Sequence, residues 1–203
     1  MDQEFDAITD LRVVRYPHPT LRYTSKPIRR VDSGFRAMVG RMFELMYEER
    51  GIGLAANQVD LPYRFFIINL SGDPTQKDEE FVFINPEIIS KKGSEEDKEG
   101  CLSLPGITAV VRRSAEIEIS AYDLKGDEIH WRLKGLFARA FQHEFDHLDG
   151  TLFIDRLTPT RRWAVTDQVE ELASDYAGRL TAGMEPKEQE VLRRLARLEA
   201  LRV

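Results

Sequence analysis

Residues 133–150 read "LKGLFARAFQHEFDHLDG", and their spacing predicts a helix over 133–149. On a wheel of about 100° per residue, Leu133, Leu136, Phe137, Ala140 and Leu148 share one arc. His143, Glu144 and His147 fall in the same arc, while Lys134, Arg139, Gln142, Asp146 and Asp149 take the other side. Three ionisable side chains therefore point toward the core, where polar groups are costly unless something satisfies them. Two arrangements would do so. Histidines at i and i+4 can offer ring nitrogens to one ion while the adjacent glutamate reaches its water. Alternatively, the two are hydrogen-bonded core histidines.

Strands and helices surround this segment. "FRAMVGRMFELMYEERG" (35–51) has apolar residues at helical spacing and stops at a glycine, which predicts a helix. "YRFFIINL" (63–70) and "FVFINPEII" (81–89) read as strands joined by the acidic loop "SGDPTQKDEE". "AEIEISAYDLKGDEIHWRL" (115–133) alternates around Lys-Gly-Asp, a hairpin pattern. Further helices are expected over 160–180 and 187–202. The expected fold is α+β, with mixed or antiparallel strands packed around the central histidine helix. Residues 1–165 are expected to form one domain, and 166–203 a helical extension that is not independent.

Composition narrows the function classes. A chain of 203 residues is long enough to bury a substantial core, and 42% hydrophobic with 32% charged residues suits a soluble protein. The net charge of -6 argues against a general nucleic-acid binder and against recognition of a specific nucleic-acid sequence. No apolar run is long enough to span a bilayer. The acidic opening "MDQEFDAITD" has no apolar core and is not a secretory signal. The single cysteine, Cys101, has no partner for an internal disulfide, and a cytoplasmic location is the simplest reading.

Two histidines leave a tetrahedral catalytic site one protein ligand short. Downstream, Asp155, Glu170 and Glu171 are available but not distinctive. Upstream, "EGCLSLPG" (99–106) holds the only cysteine. A lone cysteine is commonly a small buried residue. An acidic setting disfavours a free thiolate, so a metal is the natural reason for one here. "GIGLAANQ" (51–58) has glycines that permit close backbone approach and small residues that can pack around a buried amide, Gln58. By itself it also reads as a helix-to-strand connection with a satisfied glutamine.

Taken in order, "GIGLAANQ", "EGCLSLPG" and "QHEFDHLDG" resemble the three signature motifs of the peptide deformylase family, of the bacterial and organellar type. The resemblance spans about residues 10 to 160. It implies that the first domain is catalytic and that Cys101, His143 and His147 hold one divalent metal. That ion is generally Fe(2+) in the family, with Zn(2+), Ni(2+) or Co(2+) able to replace it. It also implies hydrolysis of the N-formyl group from the initiator N-formylmethionine of nascent peptides, releasing formate. Glu144 would take a proton from water and deliver it to the leaving amine. The metal, the Gln58 amide and the Leu102 backbone N–H would stabilise the oxyanion. Ile52 and Leu136 are candidates for the walls of the methionine pocket, and Gly53 for a backbone contact with the peptide. Glu99 and Arg113 are expected as a supporting ion pair.

Two competing readings are a zinc peptidase of the His-Glu-x-x-His type and a non-catalytic metal-stabilised binding module. The Gln58 motif and the cysteine argue against the first, and an intact Glu144 against the second. At the C-terminus, "KEQEVLRRLARLEALRV" (187–203) carries Val191, Leu192, Leu195, Leu198 and Leu201 as an apolar stripe on a net basic segment. The expectation is that this helix docks on a partner, the ribosome by the family resemblance. Packing on its own domain or on a second copy is the alternative.

Overall fold

The computed structural model describes residues 11–203; the acidic opening segment read above lies outside them. After a 3-10 turn at Pro19–Arg22, helix α1 runs Ser33–Glu48, started by the Asp32 side chain accepting from the Phe35 N–H. Strands β1 (Gly53–Ala55), β2 (Phe65–Ile68) and β3 (Phe81–Lys92) follow. A ribbon of β4 (Glu95–Cys101) and β5 (Leu104–Arg113) precedes a hairpin of β6 (Glu116–Tyr122) and β7 (Glu128–Lys134). Four helices complete the chain: α2 (Gly135–Leu148), α3 (Pro159–Trp163), α4 (Thr166–Thr181) and α5 (Glu188–Arg202). The fold is α+β.

The main sheet has the order β1-β2-β3-β6-β7 and is antiparallel throughout. Its position follows from "FFII" in β2, where all four side chains are buried. Strand side chains alternate faces. Phe65 and Ile67 accordingly join a core with Phe35, Met38 and Met42 of α1. Phe66 and Ile68 join another with Phe83, Ile119, Phe141 and Leu148. The sheet thus separates α1 from the histidine helix α2. A third cluster beneath β5 unites Leu104, Ile107 and Val111 with Leu152, Phe153 and Ile154.

Four expectations are corrected. The ribbon β4–β5 was not foreseen, because "EEDKEGC" has no apolar alternation and its burial rests on ion pairs. The helix expected over 160–180 is divided at Ala164–Val165 into α3 and α4. On α2, Arg139, Gln142 and Asp146 are buried rather than solvated. The ribbon and the segment following α2 cover that face and supply matching polar groups; Lys134 and Asp149 stay exposed. Leu136, assigned to the inner arc, is 55% exposed.

For α5, the alternative reading of packing on its own domain describes the apolar stripe. Its stripe residues Val191, Leu195 and Leu198 are buried against the chain's own body, and Leu198 belongs to the α1 cluster. The Tyr63 hydroxyl donates to the Leu198 carbonyl (2.8 Å), Tyr23 donates to Glu199 (2.6 Å), and buried Arg202 pairs with Asp32 (2.9 Å). Only Leu192 and Leu201 of the stripe remain exposed. The apolar face is therefore occupied intramolecularly.

Candidate metal centre

α2 delivers His143 and His147 from successive turns, and β4 ends at Cys101 beside them. One donor atom from each lies within 4.8 Å of the others. The Cys101 Sγ to His147 Nε2 distance is 3.3 Å. A tetrahedral ion with ordinary metal–sulfur and metal–nitrogen bonds asks for roughly 3.6 Å between donors, so the three side chains already converge as a ligand set.

The electrostatics agree. Burial would lower His143, but hydrogen bonding to Cys101 and Glu99 overrides it and raises the ring to about 10. That proton sits among the Cys101 sulfur and the Glu99 and Glu144 side chains, where positive charge is favoured. Burial and the neighbouring His143 charge keep His147 well below the usual histidine range, hence neutral, as a ligand must be. The donor set fits one divalent cation.

Glu99 orients the first histidine. Its Oε2 lies 3.0 Å from His143 Nδ1, while Arg113 binds both of its oxygens at 3.0 Å and Arg139 donates to Oε1 at 2.7 Å. Burial raises this carboxyl, but hydrogen bonds from His143 and Arg113 outweigh it and bring it down to about 2. Arg113 also reaches Asp146, which Arg156 holds in turn (2.5 Å). The expected Glu99–Arg113 pair is present, within a larger buried network. Its other members, Arg139, Asp146 and Arg156, were missed because a one-helix wheel cannot show a polar partner arriving from another strand. Asp155, weighed as a downstream ligand, is engaged by Arg22 instead.

Glu144 stands beside the cluster. Burial raises its carboxyl to about 7 and the His143 charge lowers it in part; its Oε2 has no hydrogen-bond partner. Room for it is made by Gly53, where a Cβ would lie 2.5 Å from Glu144 Oε1. Gln58 is 1% exposed, with its oxygen accepting from the Ala55 N–H (2.8 Å). The amide nitrogen consequently faces Cys101 Sγ (3.4 Å) and Ser103 Oγ (3.3 Å). The neighbouring Asn57 donates to the His147 carbonyl and ties the first motif to α2.

A cavity of about 510 Å³ opens on this group. Ile52, Gly53 and Leu136 all line it, together with Gln58, Cys101, Leu102, His143 and Glu144. Leu136 is exposed because it forms a wall of this opening. The Leu102 carbonyl is held by Arg15.

Across residues 10–163 the chain matches the family model described as Polypeptide deformylase. The chain belongs to the polypeptide deformylase family. It is 42% identical over 191 residues to a peptide deformylase of Rhodopirellula baltica, covering 94% of both chains. Among solved structures, a plant peptide deformylase aligns with TM-score 0.81 at 39% identity, over 84% of this chain and 93% of that one. A Plasmodium falciparum deformylase aligns with TM-score 0.80 at 40% identity, over 82% and 98%. The chain is thus an enzyme of the deformylase class, a hydrolase. No helix among the described residues is long and apolar enough to cross a membrane.

Proposed function

We propose that this deformylase removes the N-formyl group from N-formylmethionyl nascent peptides, with Glu144 carrying protons beside one divalent metal held by Cys101, His143 and His147. Bound there, the ion would supply Lewis acidity that makes water nucleophilic near neutral pH. Glu144 accepts that water's proton and later returns it to the amine leaving group, so formate and a free N-terminus are released. The Gln58 amide nitrogen and the Leu102 backbone N–H donate to the oxygen that gains charge as the carbonyl is attacked. Glu99 fixes the His143 ring by its Nδ1 side, which leaves Nε2 to the cluster. Ile52 and Leu136 wall the apolar pocket for the methionine side chain, and Gly53 offers its backbone to the peptide.

One observation carries this reading: a buried carboxyl with one unpartnered oxygen lies in the same cavity as a converged Cys/His/His set. Every cavity-lining residue precedes 145, which supports a catalytic domain over 1–165 and an extension over 166–203. Fe(2+) is the proposed ion. Anaerobic metal analysis of the purified protein decides among it, Zn(2+), Ni(2+) and Co(2+). Work on nascent chains puts the protein in the cytoplasm. Contact with the ribosome would use the outward basic face of α5, Arg193 and Arg197, since its apolar stripe is covered. Salt-sensitive co-sedimentation lost in an Arg193→Glu/Arg197→Glu variant supports that contact. The central test incubates metal-loaded protein with formyl-Met peptides and with internal-bond peptides. Formate from the first and no new amines from the second is the expected result, and the reverse overturns the reading.

A further inference from the structure

α1 closes with the paired hydrogen bonds usual for a helix ended by glycine. The Arg50 N–H donates to the Tyr47 carbonyl (3.0 Å), and the Gly51 N–H to the Met46 carbonyl (2.8 Å). The residue that must go left-handed there is not glycine but Arg50, with φ 58°. Glycine or asparagine takes that conformation at lower cost, so the backbone gives no reason for an arginine. Its side chain is exposed and has no hydrogen bond or ion pair with any described residue, yet it lines the cavity that holds Cys101 and Glu144. Lys98 on β4 shares all three properties. The other two basic side chains lining the cavity are engaged: Arg15 pairs with Glu49 (2.9 Å), and Arg139 with Glu99 (2.7 Å). Two uncommitted cations therefore border the opening of a protein whose net charge is -6.

We infer that Arg50 and Lys98 are specificity-determining residues that favour nascent chains with Asp or Glu just after the formylated residue. The inference rests on the proposal that this cavity receives the formyl-peptide. With its first residue at the metal cluster, an extended peptide advances about 3.3 Å per residue. Its next two or three side chains then reach the rim that these cations line, where charges closer than a Debye length of about 8 Å still feel one another. A cation at a helix C-terminus also gains from the helix dipole, an account that would explain Arg50 through stability alone. Lys98 lies on a strand and has no such account.

The test measures kcat/KM by formate release from formyl-Met peptides carrying Asp/Glu, Ala or Lys/Arg at the next two positions. The wild-type protein should prefer acidic over basic peptides by roughly tenfold at low salt, mainly through KM, and by much less in 0.5 M NaCl. Arg50→Asn keeps a residue that tolerates the left-handed backbone, and combining it with Lys98→Ala should bring the ratio to about one. Arg50→Glu should move the ratio toward basic peptides. A wild-type ratio near one overturns the inference. So does a ratio that survives the double variant, or an Arg50→Asn effect confined to melting temperature. Absence of formate from every peptide would overturn the deformylase reading itself, whereas equal formate from all of them overturns only the charge selection.

Discussion

Two residues decide whether the buried carboxyl can work. Glu144→Gln keeps the shape of the side chain but removes its ability to carry a proton. Turnover should fall by about 10² to 10⁴ while the metal content stays at the wild-type level. Loss of the metal, or a near-normal rate, would show that Glu144 is not the proton carrier. Gly53→Ala approaches the same group from the other side. Its new methyl would sit 2.5 Å from Glu144 Oε1 and 2.9 Å from Cδ, so the carboxyl must move. A displacement of this size costs on the order of 10² in rate, and metal analysis should again find the ion in place. Unchanged kcat in Gly53→Ala would mean that the carboxyl has a second productive position. At this scale the sequence was most legible. The i, i+4 histidines, the lone cysteine and Gln58 each sat in an ordered motif. Arg139 and Asp146 were not legible, since their charge pointed to solvent until β4 and Arg156 were in view.

For a whole element, the clearest case is α5, whose amphipathic stripe was legible while its cover was left open between a partner and the chain's own body. Periodicity shows that one face must be covered, but not by what. Here the cover is α1 and the segment around Tyr63. Leu195→Ala should cost about 2 to 5 kcal/mol, as fully buried leucines do, measured by denaturant unfolding. A change below about 0.5 kcal/mol would mean that the helix is only loosely applied. Deleting 186–203 should likewise lower the melting temperature before it alters the chemistry, because no cavity residue lies in it. The ribbon β4–β5 illustrates the opposite limit. The inward position of β4 is the charged Glu99, paired with Arg113 of β5, so a search for alternating apolar residues passes over β4. The hairpin β6–β7 and the strand β3 were legible because their burial is apolar.

Across the molecule, His18 draws together distant parts of the chain. Its Nδ1 accepts from the Thr20 N–H, its Nε2 lies 3.8 Å from Asp60, and its ring meets Tyr176 of α4 edge-on. Asp60 is itself engaged by Arg194 of α5 and by Thr20. Burial lowers the ring to about 4, helped by the Arg194 and Arg12 charges. The unfolded chain therefore takes up a proton near pH 6.5 that the folded chain refuses until about pH 4. Stability is full above pH 6.5 and falls through that window, by about 3 kcal/mol in total. Denaturant midpoints at pH 7.5 and 4.5 should differ less in His18→Gln than in wild type; equal differences would assign the acid sensitivity elsewhere. A last consequence comes from β4, which carries Cys101 and, two residues earlier, the Glu99 that steadies His143. One strand thus contributes a donor and also sets the aim of another donor on α2. A slip of the ribbon by a single residue would turn both away together. A ribbon out of register would leave α2 with two histidines and no third donor, so on the proposed reading a molecule still folding would act on few of the peptides around it.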